Sequence, residues 1–256
     1  MRYCLSHKTR TEVTTAGNPH GGWQTIVAKA GPALVNSQLG MAMRRLAPEV
    51  LYPRPHSTLK VERLYFFLDS LWRRRELPGA VVEVGCYLGG TSALGFQLLR
   101  NTGFDKRYVA VDTFRGFVPE QFRHDARQHG TPVRERRGFS RNSRAIVARL
   151  LRYYGCGDIE LVEGDVARLD GSVFPREVVV ALIDVDLEIP VYEALRRLYP
   201  RIVHGGLAIV DDCALDSPPF PGARAGYKRF VDEKGLTERY EFGMGVLSGS
   251  IDELAD

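Results

Sequence analysis

Two stretches carry the residues best suited to chemistry. Asp184-Val185-Asp186 follows the apolar run Val178–Ile183, and Asp211-Asp212 follows Leu207-Ala208-Ile209-Val210. Nearly uninterrupted apolar runs of this kind read as parallel strands covered on both faces. The acids therefore stand where strands end, on one face of a sheet. Carboxylates converging there repel one another unless they are protonated or neutralised by a cation. Oxygen donors alone suit Mg²⁺ or another hard divalent ion rather than zinc. Any one of these aspartates would serve equally well as a helix cap.

A third stretch must share that face. Val81-Val82-Glu83-Val84-Gly85-Cys86-Tyr87-Leu88-Gly89-Gly90-Thr91-Ser92 reads as a strand, an acid, a glycine turn and a helix opening at Thr91 or Ser92. Glycine lets a ligand approach bare backbone, and the first N–H groups of a helix are available to ligand oxygens. The spacing is not Gly-x-Gly-x-x-Gly, which argues against a nicotinamide dehydrogenase. Glu83 suits a cationic amino acid or a ribose and would repel a pyrophosphate. Tyr108-Val109-Ala110-Val111-Asp112 is the next strand, so the pair encloses a helix in one βαβ unit. Asp112 lies where a nucleoside-binding acid sits in such units, and a turn or cap role is its structural alternative.

The elements that must hold these residues follow from spacing. A helix is expected over Leu34–Leu51, with Leu39, Met43 and Leu46 on one side and Pro53 and Pro55 beyond it. Ser57 or Thr58 would cap a second helix carrying Leu64, Phe67, Leu68 and Leu71 at helical spacing. Further helices are expected from Ser92 to Leu99, Ala145 to Tyr154, Val191 to Tyr199 and Tyr227 to Lys234. Ile159 to Val162 reads as a strand running into Glu163-Gly164-Asp165, His204-Gly205-Gly206 as a turn, and Tyr240 to Leu247 as a final strand. Residues Met1 to about Gly31, with His7 and His20, read as a loop or arm.

Arg123 to Arg144 is the most basic stretch, with Arg123, Arg127, Arg134, Arg136, Arg137, Arg141 and Arg144 beside His124 and His129. Without regular apolar spacing it is expected to be an exposed loop, either a solvated face or a receiver of an anionic substrate. Its single aromatic, Phe139, is not interleaving of the kind that stacks bases.

The 256 residues carry a formal net charge of +4, too mild to argue for nucleic acid. One α/β domain over residues 57–256, preceded by an arm and helix over 1–56 that would act as lid or dimer contact, fits this length. Cys4, Cys86, Cys156 and Cys213 are scattered, so neither a disulfide framework nor a zinc site is indicated. With no signal-type or membrane-length apolar run, a cytoplasmic protein is expected.

In this order, several stretches resemble one family. Pro78 to Gly85, Gly89-Gly90-Thr91-Ser92, Val111-Asp112-Thr113-Phe114-Arg115-Gly116-Phe117, Ile183 to Leu187, Tyr199-Pro200-Arg201, Gly205-Gly206, Asp211-Asp212 and Gly222-Ala223-Arg224 are similar to the macrocin-type, TylF/MycF-like sugar O-methyltransferases. The resemblance runs from about Val61 to Leu236. It implies a class I S-adenosylmethionine-dependent methyltransferase fold, Rossmann-like, with a seven-stranded mixed sheet flanked by helices. It also implies S-adenosylmethionine and Mg²⁺ (or Mn²⁺) as cofactors, a sugar-bearing small molecule of antibiotic-biosynthesis type as acceptor, and a homodimer or higher homo-oligomer.

Carried over by position, Glu83, Gly85 and Tyr87 would hold the methionine end, with a hydroxyl contact from Ser92. Asp112 would take the ribose, and Gly164 and Asp165 would lie beside the adenine. Asp184, Asp211 and Asp212 would bind the metal. Asp184 and Asp186 share the roles of ligand and base, and the sequence does not divide them. The chain departs from the family at Cys86-Tyr87-Leu88 and at Glu188-Ile189-Pro190, with Tyr192 displaced. Both departures touch the acceptor side. A catechol would satisfy the same geometry. A nucleic-acid methyltransferase, suggested by Ser217-Pro218-Pro219-Phe220, would need that motif after the preceding strand, so a proline-rich loop is the better reading. A non-enzymatic binding module is opposed by the intact acids.

Overall fold

The computed structural model describes residues 38–215 and 220–249. The expectations for the N-terminal arm and for Ser217 to Pro219 lie outside them. Seven strands form one sheet: β1 (Ala80–Val84), β2 (Tyr108–Asp112), β3 (Glu160–Glu163), β4 (Val178–Ile183), β5 (Ile202–Val210), β6 (Tyr240–Glu241) and β7 (Met244–Ser248). Their spatial order is β3-β2-β1-β4-β5-β7-β6. The first five run parallel, while β7 is antiparallel to both β5 and β6. This is the mixed seven-stranded sheet the resemblance implies.

Period-two alternation sorts the strand residues into two cores. Val81, Tyr108, Ala110, Val180, Leu182 and Ile209 face one side, with Phe67, Leu71, Phe96 and Leu151 packed on them. These partners come from α3 (Val61–Arg73), α4 (Gly90–Asn101) and α6 (Arg144–Tyr153). Val82, Val84, Val111, Ala181, Ile183 and Val210 face the other side, against α7 (Glu188–Leu198) and α8 (Pro221–Lys234). Every residue of β4 is buried, as its apolar run requires.

Several boundaries differ from the sequence reading. The first described helix is split into α1 (Gln38–Leu46) and α2 (Pro48–Leu51), because Pro48 cannot donate within a continuing helix and starts a new one. Leu46, expected on one side of this helix with Leu39 and Met43, is 73 % exposed. This segment is tied to α6 by Arg149, which reaches Glu49 and the Leu46 carbonyl. Neither Ser57 nor Thr58 caps α3; its N-cap is Lys60, and Ser57 Oγ instead pairs with Thr91 Oγ1 at 2.7 Å. The Arg123–Arg144 stretch is not one loop. It contains the end of α5 (Pro119–Gln128), a 3₁₀ turn at Val133–Arg137, and Arg144 at the start of α6, where Ser143 is the cap. The final strand is a hairpin: Phe242 and Gly243 both take positive φ, at 52° and 77°, as a tight two-residue turn demands. β5 begins before the expected turn, absorbing Gly205 at φ 75° as an irregularity. Among the described residues no helix is long and apolar enough to cross a membrane.

Candidate active site

Backbone hydrogen bonds carry the parallel ladder one step past the strand ends. Gly85 N–H donates to Val111 O, Gly164 N–H to Asp112 O, Asp184 N–H to Val84 O and Asp211 N–H to Ile183 O, all at 2.8–2.9 Å. The carboxyl ends of β1 to β5 are thereby in step. The residues that follow them form one edge, where open α/β sheets bind ligands. A cleft of about 1070 Å³, counting the solvent at its mouth, lies along that edge. Gly85, Tyr87, Asp112, Gly164, Asp165, Asp184, Asp186, Asp211 and Asp212 all line it.

Glu83 and Ser92 do not reach the cleft. Glu83 points to the opposite face of β1, is 1 % exposed and accepts a hydrogen bond from the Tyr108 hydroxyl at 2.7 Å. Ser92 is fully buried behind it. The period-two geometry of the strand decides this: Val84 faces the cleft side, so Glu83 cannot. The glycines likewise have structural partners. A Cβ on Gly85 would lie 1.8 Å from Asp184 O, and one on Gly90 would lie 1.9 Å from His56 O. Gly85 therefore admits the neighbouring strand end, while Gly90 admits the His56–Ser57 segment over the start of α4.

Asp112 accepts hydrogen bonds from Tyr87 N–H at 2.9 Å and Phe114 N–H at 2.7 Å. It stabilises two turns whose residues hold positive φ, 47° and 52°. Burial raises its pKa above the ordinary aspartate value, against those backbone bonds. Asp165 is held by Gln121 Nε2, 3.0 Å from each carboxylate oxygen. Asp186 and Asp212 also adopt left-handed conformations, φ 63° and 54°. Left-handed non-glycine residues cost about 1–3 kcal/mol each and persist where surroundings over-determine them.

The electrostatics are dominated by aspartate. Six aspartates (112, 165, 184, 186, 211 and 212) line the cleft against two cations, Lys60 and Arg63. Burial, then the charges of Asp211, Asp186 and Asp212, pushes Asp184 well above the usual range. Burial and the Asp212 and Asp211 charges do the same to Asp186. Asp211 is pushed up to about 6 by burial and Asp212, with Arg63 opposing. Sequence reasoning missed Arg63: its Nη1 lies 2.8 Å from Asp211 Oδ1 and 2.6 Å from Asp212 Oδ1. Part of the neutralisation assigned to a metal is thus supplied by the chain. Oδ2 of each aspartate is not used by that guanidinium, and among the described residues Asp184 and Asp186 have no cationic partner. The donor set, oxygen only and short of positive charge, fits a hard divalent ion.

An aromatic wall faces the acids. Tyr87 and Phe139 meet edge to face at 5.1 Å, and Phe117 packs on Phe139 and Phe220 at 5.7 and 5.6 Å. Phe139 is the residue that the basic stretch contributes to this wall, and none of that stretch's arginines lines the cleft.

Comparison with known proteins identifies the family and agrees with the fold. Residues 60–241 match the family described as Macrocin-O-methyltransferase (TylF). The chain is 31% identical over 145 residues to the 8-demethyl-8-(2,3-dimethoxy-alpha-L-rhamnosyl)-tetracenomycin-C 4'-O-methyltransferase of Streptomyces olivaceus, a match spanning 55% of each. The chain thus covers about half the length of that curated relative. In fold it is similar to the O-methyltransferase NovP, with a TM-score of 0.62 at 19% identity over 76% of this chain and 82% of that one. It is also similar to CalS11, a calicheamicin methyltransferase, with a TM-score of 0.59 at 21% identity over 95% and 99%.

Proposed function

The chain belongs to the macrocin O-methyltransferase (TylF) family, and from that premise we propose that it is an S-adenosylmethionine- and Mg²⁺-dependent O-methyltransferase acting on a sugar hydroxyl of a glycosylated natural product. The observation that carries this reading is the common edge. Asp112 and the Asp184, Asp186, Asp211 and Asp212 group, from three different strand ends, open into one acidic cleft with an aromatic wall. A sulfonium cation suits such a cleft on both counts, by charge and by contact with ring faces. A phosphodiester backbone would be repelled, so nucleic acid is a poor acceptor.

Tyr87 and Gly85 would hold the methionine end, Asp112 the ribose hydroxyls, and Gly164 with Asp165 the adenine. S-adenosylmethionine supplies an electrophilic methyl carbon when bound, and Mg²⁺ lowers the pKa of a hydroxyl it holds. Asp184 and Oδ2 of Asp211 and Asp212 are the oxygens suited to that ion. The remaining work falls to the chain: seating the acceptor hydroxyl in line and taking its proton. In-line placement contributes several kcal/mol in well-oriented systems. Asp186 is the base in this reading. Its buried carboxylate binds a proton more readily than an ordinary aspartate, as a base working near neutral pH should. Asp186 would take the proton of the acceptor hydroxyl, while bound S-adenosylmethionine would supply the methyl group to that oxygen.

The test is a thermal shift followed by a transfer assay. S-adenosylhomocysteine should raise the melting temperature and NAD should not. Labelled methyl from S-adenosylmethionine should then appear on rhamnosylated acceptors, in preference to catechols, in the presence of Mg²⁺. Stabilisation by NAD alone would overturn the cofactor, and transfer to catechols only would overturn the acceptor.

A further inference from the structure

Outside the cleft, the end of α5 and the first turn of α7 bring together three ligand-type side chains. His124 lies on α5, His129 is its C-cap residue, and Glu188 opens α7. His124 Nε2 is 2.8 Å and His129 Nε2 2.7 Å from the same oxygen, Glu188 Oε2. One donor atom from each residue lies within 4.8 Å of the other two. The imidazoles stand edge to face, with centroids 6.1 Å apart. Side-chain exposures of 36%, 22% and 14% leave the histidines open to solvent and shelter the carboxylate.

The framework behind them is fixed. Asp125, fully buried, accepts the Glu188 backbone N–H with both oxygens, at 2.9 and 3.1 Å. Its carboxylate fills the space that a Cβ on Gly222 would need, 2.0 Å from Oδ2. Three helices are thus locked around one aspartate, and Glu188 cannot drift from the histidines without breaking that lock. Arg229 approaches the other carboxylate oxygen, Oε1, at 3.4 Å. With Glu188 and Asp125 against Arg229, the immediate surroundings carry a net negative charge.

We propose that His124, His129 and Glu188 form a second metal site, for a divalent ion of zinc's class, with water in the fourth position. Two imidazoles and one carboxylate are a three-ligand zinc set. Nitrogen donors select zinc-class ions over Mg²⁺, whereas the aspartates of the cleft have the opposite preference. The donors have to spread from 2.7–2.8 Å to about 3.3–3.4 Å, the ligand separation of a tetrahedron with bonds near 2.0–2.1 Å. Small rotations of the half-buried imidazoles supply that. The ion would tie the end of α5, the helix whose Gln121 holds Asp165, to the element that begins two residues after Asp186. This site stands whether or not the methyl-transfer reading holds.

The full chain, stripped with chelator, should be titrated with Zn²⁺ in excess Mg²⁺ by calorimetry, with elemental analysis for stoichiometry. We expect one Zn²⁺ whose affinity falls by about tenfold or more in His124→Ala, His129→Ala and Glu188→Gln, and holds in Asp184→Asn and Asp211→Asn. Absence of Zn²⁺ binding, retention in the His124→Ala/His129→Ala double variant, or loss only with the aspartate variants would overturn the site. Anomalous scattering at the zinc edge from wild-type crystals needs no variant to fold. A peak between the three side chains supports the site, and a peak elsewhere or none refutes it.

Discussion

Arg63 Nη1 lies 2.8 Å from Asp211 Oδ1 with both side chains buried, and the same nitrogen reaches Asp212. A helix from the start of the domain thus supplies charge to a strand end 148 residues later. Removing one partner of a buried pair leaves an uncompensated charge, at about 3–5 kcal/mol. Arg63→Met should lower unfolding free energy by about that much in urea titrations without divalent ions. Millimolar Mg²⁺ should recover part of the loss if an ion shares these aspartates. A loss below about 0.5 kcal/mol, the scale of ordinary surface substitutions, would show that the pair does not hold the site.

Asp112 touches both the cleft and two backbone turns, so two variants are needed. Tyr87 and Phe114 N–H bond to different oxygens, so Asp112→Asn keeps an acceptor for only one of them, and Asp112→Ala keeps neither. Both should weaken S-adenosylhomocysteine binding by about 1–3 kcal/mol, the scale of hydrogen bonds to a charged group. Both variants should also lose stability in the absence of ligand, the alanine variant more, since it strands both N–H groups. Unchanged affinity in both, measured by calorimetry, would remove Asp112 from the cofactor site.

Much of this arrangement was legible because strand ends are legible. The apolar run of β4 ends at Asp184 and that of β5 at Asp211, so placing acids on one edge required only the parallel order of the strands. What the sequence hid was side-chain direction and long-range contact. Glu83 sits in the same motif as Gly85, yet the strand's period of two turns it away from the cleft. No local pattern announces that Arg63 meets Asp211. Helix α5 was missed because its buried face includes Gln121 and Asp125 beside Phe122, polar residues that erase the apolar period. The closing hairpin was missed because its turn carries Phe242 where asparagine or glycine is usual.

Asp184 and Asp186 are expected to separate by role. Asp184→Asn should lose most turnover together with Mg²⁺ affinity, while S-adenosylhomocysteine still binds. Asp186→Asn should lose turnover with Mg²⁺ affinity nearly intact. Excess EDTA should abolish transfer in the wild type, and Mn²⁺ should restore it, because it accepts similar oxygen ligands. Full turnover in EDTA, with no divalent ion found by elemental analysis, would sink the metal assignment. Parallel loss of metal affinity in both variants would make Asp186 a ligand rather than the base.

Arg136 and Arg137 are exposed on the 3₁₀ turn and do not line the cleft. Replacing both with alanine should leave kcat/KM for a neutral glycosylated acceptor within about twofold, since solvated surface charges contribute little. A rise in KM that depends strongly on salt would instead mark this face as a receiver of anionic acceptors.

Glu83 gives the pH dependence its sign. Burial pushes its carboxyl up to about 7, although the hydrogen bond from the Tyr108 hydroxyl opposes that shift. The unfolded chain holds the ordinary value, about 4.3. Between those two values the native state binds more protons than the unfolded one, so stability falls as pH rises through the window. The loss from this group amounts to at most about 4 kcal/mol and is complete above the native value. Asp184, Asp186 and Asp211 are shifted in the same direction, so the informative quantity is the difference between variant and wild type. Glu83→Gln imitates the protonated acid and can still accept from Tyr108. Its urea midpoint should match the wild type near pH 5 and exceed it near pH 8. Because Glu83 stands behind the cleft, S-adenosylhomocysteine affinity should change by less than about threefold, under 1 kcal/mol. An affinity loss beyond tenfold at unchanged stability would bring Glu83 back into contact with the cofactor.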